Sequence, residues 1–397
     1  MAQFFRNIAI PLFLEIEAGI LKRISEVLRK NNLYFQSPLI VADRNTFKVA
    51  AESMVSKQVA GQMDYIIIHS NTIAEVKRVR TRIQSRSADV VIGVGGGKVI
   101  DVAKFAASEE GVNFLSVPTA PSHDGIASPV AVINTPDGLM RYGAKMPLGV
   151  IVDLAVIKQA PLQTIYSGFG DLISNITAVE DWNIATQLGK DRFDSFAAYL
   201  ATTAAQVIMN DCPTDCKSLR KADGFLRRLV TGLVLSGIAM AIAGSSRPCS
   251  GAEHLISHAL DSLLPNPQPH GIQVGIATIF TCALQGGDWQ KLKSIFAKIG
   301  FPTSPQEVKI TKTTFLQAVK LAPNLRTERY TILNRMIGFK EPTEIKEYYY
   351  EVFDEVFNQN QDYPAKEQLE RFTLDQNQAT EKTETVPISD LAGPLAL

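Results

Sequence analysis

Short apolar segments alternate with helical segments through the first 160 residues, and this alternation limits the possible fold more than any other feature. Five segments have the length and composition of buried strands: SPLIVADR, MDYIIIHS, ADVVIGVGGG, NFLSVPTA and LGVIVD. Three segments between them have helical spacing: NTFKVAAESMVSKQVAG, NTIAEVKRVRTRIQSR and KVIDVAKFAASEEG. Strands that alternate with helices predict a Rossmann-like parallel sheet with helices on both faces.

After about Ala160 the pattern changes to long helical segments, which run from LQTIYSGFGDLISNITAVEDWN to EIKEYYYEVFDEVFNQ. The last stretch of the chain is polar and aperiodic, as in a flexible tail. We therefore expect an α/β nucleotide-binding domain over residues 1–160, an all-α domain over 161–360, and a tail over 361–397.

The composition excludes some classes of partner and compartment. The chain of 397 residues carries 40 Lys and Arg against 40 Asp and Glu, so no net field attracts nucleic acid or an anionic membrane. A signal-peptide pattern is lacking, and no uncharged stretch approaches the length that a bilayer requires. Four cysteines do not make a disulfide framework, and Cys212 and Cys216 are interpreted as ordinary thiols because a second pair is lacking. These features predict a cytoplasmic protein without a membrane span.

The glycine run in VVIGVGGGKVIDVAK ends a predicted strand just before a predicted helix. Both common phosphate-binding templates fail, because a dinucleotide fingerprint needs glycine at Lys98 and a P-loop needs a hydroxyl at Val99. A tight turn is the alternative, but Gly95, Gly96 and Gly97 followed by lysine favour an anion at the helix start. At the carboxyl ends of parallel strands, that anion is expected to belong to a nucleotide.

Two further features belong to the same edge of the predicted sheet. Asp43 ends the first predicted strand, where it would either bind an adenosine ribose or cap the helix that follows. The loop SVPTAPSHDGIASPVAVI follows a later strand and should line the same crevice.

Histidines are scarce in this chain, yet three of the five lie within seventeen residues. His254 and His258 are four residues apart and share a helix face, and His270 follows a short proline-broken turn. Asp171 is at a predicted helix start in SGFGDLISN. This is not the zincin motif, because Glu253 precedes the histidine pair. A single histidine is usually a buried or capping imidazole, but this set favours a catalytic divalent metal with open positions.

Five motifs in this order resemble the sn-glycerol-1-phosphate dehydrogenase family: GGGKVIDVAK, SVPTAPSHDGIASPVAVI, GFGDLISN, SGAEHLISHALD and HGIQVG. That family is a branch of the superfamily of iron-dependent alcohol dehydrogenases, glycerol dehydrogenase and dehydroquinate synthase, and the similarity extends to about Tyr350. Lys98 and the PSHDGIAS loop are its more specific marks. The resemblance implies a dehydroquinate synthase-like fold, a homo-oligomer (a dimer or larger), and reversible reduction of dihydroxyacetone phosphate to sn-glycerol 1-phosphate.

The resemblance also implies a set of site residues. A nicotinamide cofactor, NAD(H) or NADP(H), would contact the helix start and the loop through Gly97, Lys98, Val99, Ile100, Asp101, Thr119, Ala120, Pro121, Ser122 and Ser128. The position of Asp43, Gly95 and Gly96 at strand ends adds these three residues to the expected cofactor site. One divalent metal, zinc before nickel or iron, would be bound by Asp171, His254 and His270. Asp124, Asp171 and His258 would face the substrate, with Asp124 and His258 catalytic and His258 relaying the alcohol proton. His123 has no family role, so packing or helix capping is expected of it.

Three questions stay open at the level of sequence. The Asp43 carboxylate would repel the 2′-phosphate of NADP, which favours NAD. Candidates for binding the substrate phosphate are Lys98, Arg141, Lys145 and Arg247. A glycerol-type polyol dehydrogenase of the same superfamily and a non-catalytic nucleotide-binding relative are the alternative functions; a cyclase of the dehydroquinate synthase type is disfavoured because it carries Glu in place of Asp171.

Overall fold

The computed structural model describes residues 10–50, 64–213, 219–339 and 341–358. Within these ranges the strands are β1 Phe13–Glu17, β2 Pro38–Ala42, β3 Asp64–Ile67, β4 Val90–Gly95, β5 Asn113–Pro118, β6 Val130–Thr135, β7 Gly138–Gly143 and β8 Gly149–Asp153. The helices of the same ranges are α1 Ile24–Lys30, α2 Arg44–Ala50, α3 Ile73–Arg86, α4 Gly97–Glu110, α5 Leu154–Ile157, α6 Leu162–Ile173, α7 Asn175–Gln187, α8 Ser195–Asn210, α9 Asp223–Ala243, α10 Ala252–Leu263, α11 His270–Leu284, α12 Trp289–Lys298, α13 Lys312–Leu321, α14 Ile332–Phe339 and α15 Pro342–Phe357.

Six of the strands form one parallel sheet in the order β1-β8-β5-β4-β2-β3. The five predicted strands are confirmed as β2, β3, β4, β5 and β8, and they are apolar because most of them are covered by helices on both faces. Strand β1 was missed, because charged residues alternate with apolar ones in its sequence FLEIE. That alternation suits its place at the edge of the sheet, where Glu15 and Glu17 pair with Lys30 and Arg23.

An antiparallel hairpin, β6–β7, interrupts the path from β5 to β8 and was not predicted. Val132 of β6 is paired with Arg141 of β7. The signal that would have found it is the dipeptide Asp137-Gly138, since such a turn requires positive φ, and Gly138 has φ 108°. This hairpin carries Arg141 to the cavity described below.

From α6 onward the described chain is helical, in agreement with the predicted change near residue 160. The core of this part is apolar and aromatic, with the ring of Phe296 at 5.8 Å from Phe169 and 4.5 Å from Phe301, centroid to centroid. The predicted tail, residues 361–397, lies outside the described residues. The exact division into two domains stays a prediction.

One helix of the described residues is long and apolar enough to cross a membrane by length and composition, which the sequence had not led us to expect. This helix is α9. Over a stretch of 18 residues within it the mean hydropathy is 1.6, and 67% of that stretch is buried inside the protein. It packs against α8 and α6, so its apolar side chains contribute to the core of the helical part.

Candidate active site

A cavity of about 530 Å³ opens between the carboxyl ends of the strands, the hairpin and the helical part of the chain. The five residues predicted to hold the metal or face the substrate all line it: Asp124, Asp171, His254, His258 and His270. Four residues predicted for the cofactor line it as well: Gly97, Lys98, Asp101 and Ser128. The fold therefore brings together groups that are far apart in the sequence.

Asp171, His254 and His270 converge on one point. One ligand atom from each lies within 4.8 Å of the others. Oδ1 of Asp171 is 3.5 Å from Nε2 of His254 and 3.8 Å from Nε2 of His270. One carboxylate and two imidazoles suit zinc, iron or nickel, and three protein ligands leave a position for substrate.

Two glycines next to these ligands let helices α6 and α11 approach closely. A Cβ on Gly170 would lie 2.1 Å from the carbonyl oxygen of Gly271, and one on Gly271 would lie 1.8 Å from that of Ser167. Any larger residue would therefore push the two backbones apart. Since Asp171 and His270 are the adjacent residues, this contact sets the spacing of these two side chains. The two glycines are visible in the sequence, in GFGD and HG, but only the packing of the two helices shows why glycine is needed there.

Hydrogen bonds fix the orientation of all three side chains. Oδ2 of Asp171 accepts from the backbone N–H of Asp124 at 2.9 Å, which leaves Oδ1 towards the histidines. His254 Nδ1 contacts Glu253 Oε1 at 2.9 Å, and His270 Nδ1 contacts Ser257 Oγ at 3.2 Å. Partners of this kind hold a metal-binding imidazole in one tautomer, with Nε2 available. The sequence had given Glu253 no such part.

The ionisation of the three groups also fits a cation site. Burial lowers the pKa of His270 to about 3, with His254 adding to the effect, so its imidazole is neutral. Burial works to raise the pKa of Asp171, but hydrogen bonding to His254 and the charges of His254 and His270 outweigh it and lower the pKa. Burial likewise opposes protonation of His254, but Asp171 and Glu253 raise its pKa to about 9. A divalent ion bound here would displace the proton that Asp171 and His254 share, and it would take their oxygen and nitrogen atoms as ligands.

His258 and Asp124 lie beside this centre. The His258 ring stacks on that of His270, with the centroids 5.7 Å apart, and its Nε2 accepts a hydrogen bond from Arg141 of the hairpin. Burial and the charge of Arg141 hold the pKa of His258 well below its usual value. Burial and the nearby Asp171 raise the pKa of Asp124 well above its usual value.

The glycine run lies at the start of α4, where no side chain of the described residues caps the helix. Its first backbone N–H groups are thus available to an anion. A Cβ on Gly97 would lie 2.0 Å from Nε2 of His123, so only glycine lets the loop approach so closely. His123 itself accepts from the N–H of Gly125 through Nδ1 at 3.0 Å, which confirms the expected capping role.

A buried ion pair joins α4 to the same loop. Lys104 Nζ lies 3.3 Å from Asp101 Oδ1 and donates to the carbonyl of Gly125 at 2.8 Å. Asp101 also accepts from the N–H of Val132 in the hairpin at 3.1 Å. Asp101 therefore lines the cavity and ties α4 to the hairpin, while Lys104 ties α4 to the loop.

The remaining residues predicted for the cofactor do not line this cavity. Gly95 and Gly96 end β4 and begin α4, the Val99 and Ile100 side chains are buried in the core, and the N–H of Thr119 donates to Gly95 O at 3.0 Å. Ala120, Pro121 and Ser122 continue from there towards Asp124.

Asp43 caps α2, one of the two roles considered for it. Its Oδ1 accepts from the N–H groups of Asn45 and Thr46 at 2.9 and 2.8 Å, and from the Thr46 hydroxyl at 2.9 Å. The second carboxylate oxygen of Asp43, Oδ2, is not used in these bonds. Contact between that oxygen and a ribose stays a prediction.

The basic residues near the cavity differ in part from those predicted. Lys98 and Arg141 line it, but Arg247 is buried outside it, with Nε 2.5 Å from Asp191 Oδ2 and Nη1 2.7 Å from Tyr330 O. Lys145 also lies outside it, in the exposed segment after β7, and its N–H donates to Ser108 Oγ. Neither Arg247 nor Lys145 is therefore placed to bind a substrate phosphate.

Two arginines that the sequence analysis had not singled out, Arg326 and Arg329, line the cavity instead of Arg247 and Lys145. They belong to an irregular segment between α13 and α14 without a recognisable motif.

Comparison with known proteins gives a consistent result. A model of the family described as iron-containing alcohol dehydrogenase matches residues 15–161. The chain is 41% identical over 331 residues to the glycerol-1-phosphate dehydrogenase (NAD(P)+) of Methanothermobacter thermautotrophicus, covering 83% of this chain and 93% of that protein. It is also 41% identical over 320 residues to the enzyme of that name from Pyrococcus abyssi, covering 80% of this chain and 91% of that protein.

The fold is shared with more distant solved structures. The glycerol dehydrogenase of Schizosaccharomyces pombe superposes with a TM-score of 0.70 at 19% identity, over 99% of this chain and 98% of that one. A probable glycerol dehydrogenase from Sinorhizobium meliloti gives 0.68 at 19% identity, over 89% and 99%. Identity over nearly the whole length of the two glycerol-1-phosphate dehydrogenase relatives, together with this fold, decides the family. The chain belongs to the glycerol-1-phosphate dehydrogenase family.

Proposed function

We propose that this protein catalyses the reversible, NAD(P)H-dependent and metal-assisted reduction of dihydroxyacetone phosphate to sn-glycerol 1-phosphate. One observation carries the proposal: Asp171, His254 and His270 converge in a cavity that is also lined by the start of α4. A metal-ligand set and an anion-binding helix start in one cavity are what a metal-assisted nicotinamide dehydrogenase requires.

Asp171, His254 and His270 would hold the metal, with zinc preferred over nickel or iron. A bound divalent ion supplies Lewis acidity, which polarises the substrate carbonyl. Asp124, Glu253 and Ser257 hold the three ligands in place through the hydrogen bonds described above. The chain's own contribution is thus a rigid set of ligands on three helices.

The nicotinamide cofactor would lie across the carboxyl ends of β4 and β5, with its pyrophosphate at the start of α4. The cofactor supplies or accepts the hydride. Lys98 adds a positive charge at this helix start, and Ser128 lines the cavity wall beyond it. A carboxylate at Asp43 would favour NAD over NADP if it meets the ribose.

Asp124 and His258 would face the substrate. Both line the cavity beside the three ligands, where hydroxyl and carbonyl oxygens of a small sugar phosphate would come within reach. We assign the transfer of the alcohol proton to His258, with Asp124 assisting. Arg141 holds the His258 ring through its hydrogen bond to Nε2.

The same proposal covers the domains, the compartment and the assembly of the chain. The chain divides into residues 1–160 and 161–360, and it acts in the cytoplasm as a homo-oligomer, a dimer or larger, without nucleic-acid partners. Free thiols at Cys212, Cys249 and Cys282 support a reducing compartment. The exposed Phe196 and Tyr199 on α8 support contact between subunits.

The test is NADH oxidation by the purified, metal-analysed protein with dihydroxyacetone phosphate, run beside dihydroxyacetone and glycerol with NAD+. We expect saturable turnover with the phosphate ester, loss of activity after chelation, and recovery on adding zinc. Turnover with glycerol and indifference to the phosphate would instead establish a polyol dehydrogenase. A metal-loaded protein that binds NADH but turns over none of these compounds would be a non-catalytic relative.

A further inference from the structure

Three arginines from two separate segments line the part of the cavity next to His258. Arg141 comes from β7 and donates to His258 Nε2. Arg326 and Arg329 come from the irregular segment between α13 and α14. Since the His258 ring stacks on His270, the chain of contacts leads from the metal-ligand set through His258 to these arginines.

Their positive charges lie close enough to disturb one another. Burial and the charge of Arg326 lower the pKa of Arg141 to about 10. Burial, Arg326 and the more deeply placed Arg247 lower the pKa of Arg329 to about 9. Like charges depress each other's pKa only when they are near neighbours in a medium that screens poorly. The cluster is therefore a site of concentrated positive charge.

Arg329 is held in place before any ligand arrives. Arg329 is only 5% exposed. Its Nη1 donates to the carbonyl oxygen of Ser250, and its Nη2 donates to Ser246 Oγ at 2.8 Å. Among the described residues no carboxylate forms a salt bridge with Arg329, and such a buried guanidinium is costly unless an anion meets it. These hydrogen bonds orient the planar guanidinium group of Arg329 but do not neutralise its charge.

The carboxylates around the cluster offset its charge only in part. The charge of Glu253 works to raise the pKa of Arg329, but the oxygens of Glu253 are already bonded to Gly251, His254 and Thr177. Oδ1 of Asp261 accepts from Gln273 Nε2 at 2.7 Å. Glu328 accepts from Arg326 Nε at 2.9 Å, but its side chain is 67% exposed, so water screens that pair. A small, doubly charged anion in the cavity would therefore meet little competition from these carboxylates for Arg326 and Arg329.

We propose that Arg326 and Arg329, with Arg141 at the hairpin, form the subsite that binds the phosphomonoester of the substrate. This inference rests on the proposed function and adds to it the residues that make the substrate a phosphate ester. Guanidinium forks match phosphate oxygens in pairs, and the carbonyl of the same small molecule would reach the metal-ligand set past His258. Lys98 is left to the cofactor at the start of α4.

The test compares Arg326→Met with Arg335→Met, which removes an exposed arginine of α14 that does not line the cavity. Arg326 is chosen because its side chain is 30% exposed, so its loss should not prevent folding. We expect Arg326→Met to raise KM for dihydroxyacetone phosphate about tenfold or more with metal content unchanged, since a charge-assisted bond to phosphate is lost. The KM for dihydroxyacetone, which carries no phosphate, should rise much less than that for the phosphate ester, and Arg335→Met should match the wild type in both assays.

A second variant, Arg329→Lys, keeps the charge and loses the planar fork, and it should also raise KM for the phosphate ester. If the wild type reduces dihydroxyacetone phosphate and both variants keep its KM, the subsite is wrong while the function stands. If the wild type does not reduce it, the function fails, and calorimetric titration with inorganic phosphate decides the subsite separately. Weaker phosphate binding in Arg326→Met than in Arg335→Met would then support the subsite, and equal binding would overturn it.

Discussion

The buried carboxylate of Glu253 accepts a hydrogen bond from Nδ1 of the adjacent His254 at 2.9 Å. The same carboxylate accepts from the N–H of Gly251 at 2.6 Å and from the Thr177 hydroxyl at 3.0 Å. Both oxygens of Glu253 are thus fixed, and they turn Nε2 of His254 towards Asp171. Glu253 therefore orients the imidazole of His254, a predicted metal ligand, and is not itself part of the convergent set.

Replacing Glu253 by glutamine should weaken zinc binding by about ten- to a hundredfold, because the neutral amide orients and polarises the imidazole less well. Competition with a chelator of known affinity measures this. Glu180→Gln is the matched control, since Glu180 is exposed on α7. Equal zinc affinity in the two variants would show that Glu253 only supports the fold.

His258→Ala should lower turnover by about a hundredfold or more while zinc content persists, because a proton-transfer group is lost but no metal ligand. Steady-state kinetics with dihydroxyacetone phosphate and metal analysis of the same sample test this together. Loss of zinc from the variant would instead make His258 a fourth ligand.

Gly271→Ala should destabilise the protein by about 1–3 kcal/mol, because the new methyl group would meet the backbone oxygen of Ser167. We expect weaker zinc binding too, since the two helices that carry Asp171 and His270 must separate. Thermal unfolding and zinc titration measure the two effects. Gly338→Ala, in α14 with open space around it, should instead be neutral or stabilising by up to about 1 kcal/mol.

Asp43→Asn should improve the use of NADPH relative to NADH, because asparagine keeps the helix cap but removes the charge that would repel a 2′-phosphate. Asp43→Gly should do the same at a small cost in stability. The ratio of kcat/KM for the two cofactors is the measurement. An unchanged ratio in both variants would leave Asp43 with its capping role alone.

Asp181 should make stability depend on pH. Burial and the nearby Glu253 raise its pKa to about 7 in the folded protein, from 3.8 for an ordinary aspartate. The folded state then holds a proton that the unfolded state releases, so stability falls as the pH rises from about 4 to about 7.

In Asp181→Asn this contribution is absent, and the difference in unfolding free energy between wild type and variant should fall by about 1.4 kcal/mol per pH unit across that window. Denaturant titrations of the metal-free proteins at several pH values measure it. Parallel pH profiles of the two proteins would contradict the raised pKa.

The parallel sheet was predictable because buried strands and amphipathic helices carry their own periodicity, and five of the six strands were found in this way. Edge strand β1 and the β6–β7 hairpin were missed, since half-exposed strands are not continuous apolar runs. Residues with distinctive chemistry in recognisable motifs, such as Asp171 and His254, were also found and line the cavity.

The sequence by itself determined the class of fold and the candidate metal ligands, because periodicity and residue chemistry are local properties. Only the tertiary structure decided which ordinary residues serve the site. Glu253 orients His254, Gly271 sets the distance between two helices, and Arg326 reaches the cavity from an irregular segment. Nothing local distinguishes such residues, because their roles depend on neighbours that are distant in the chain.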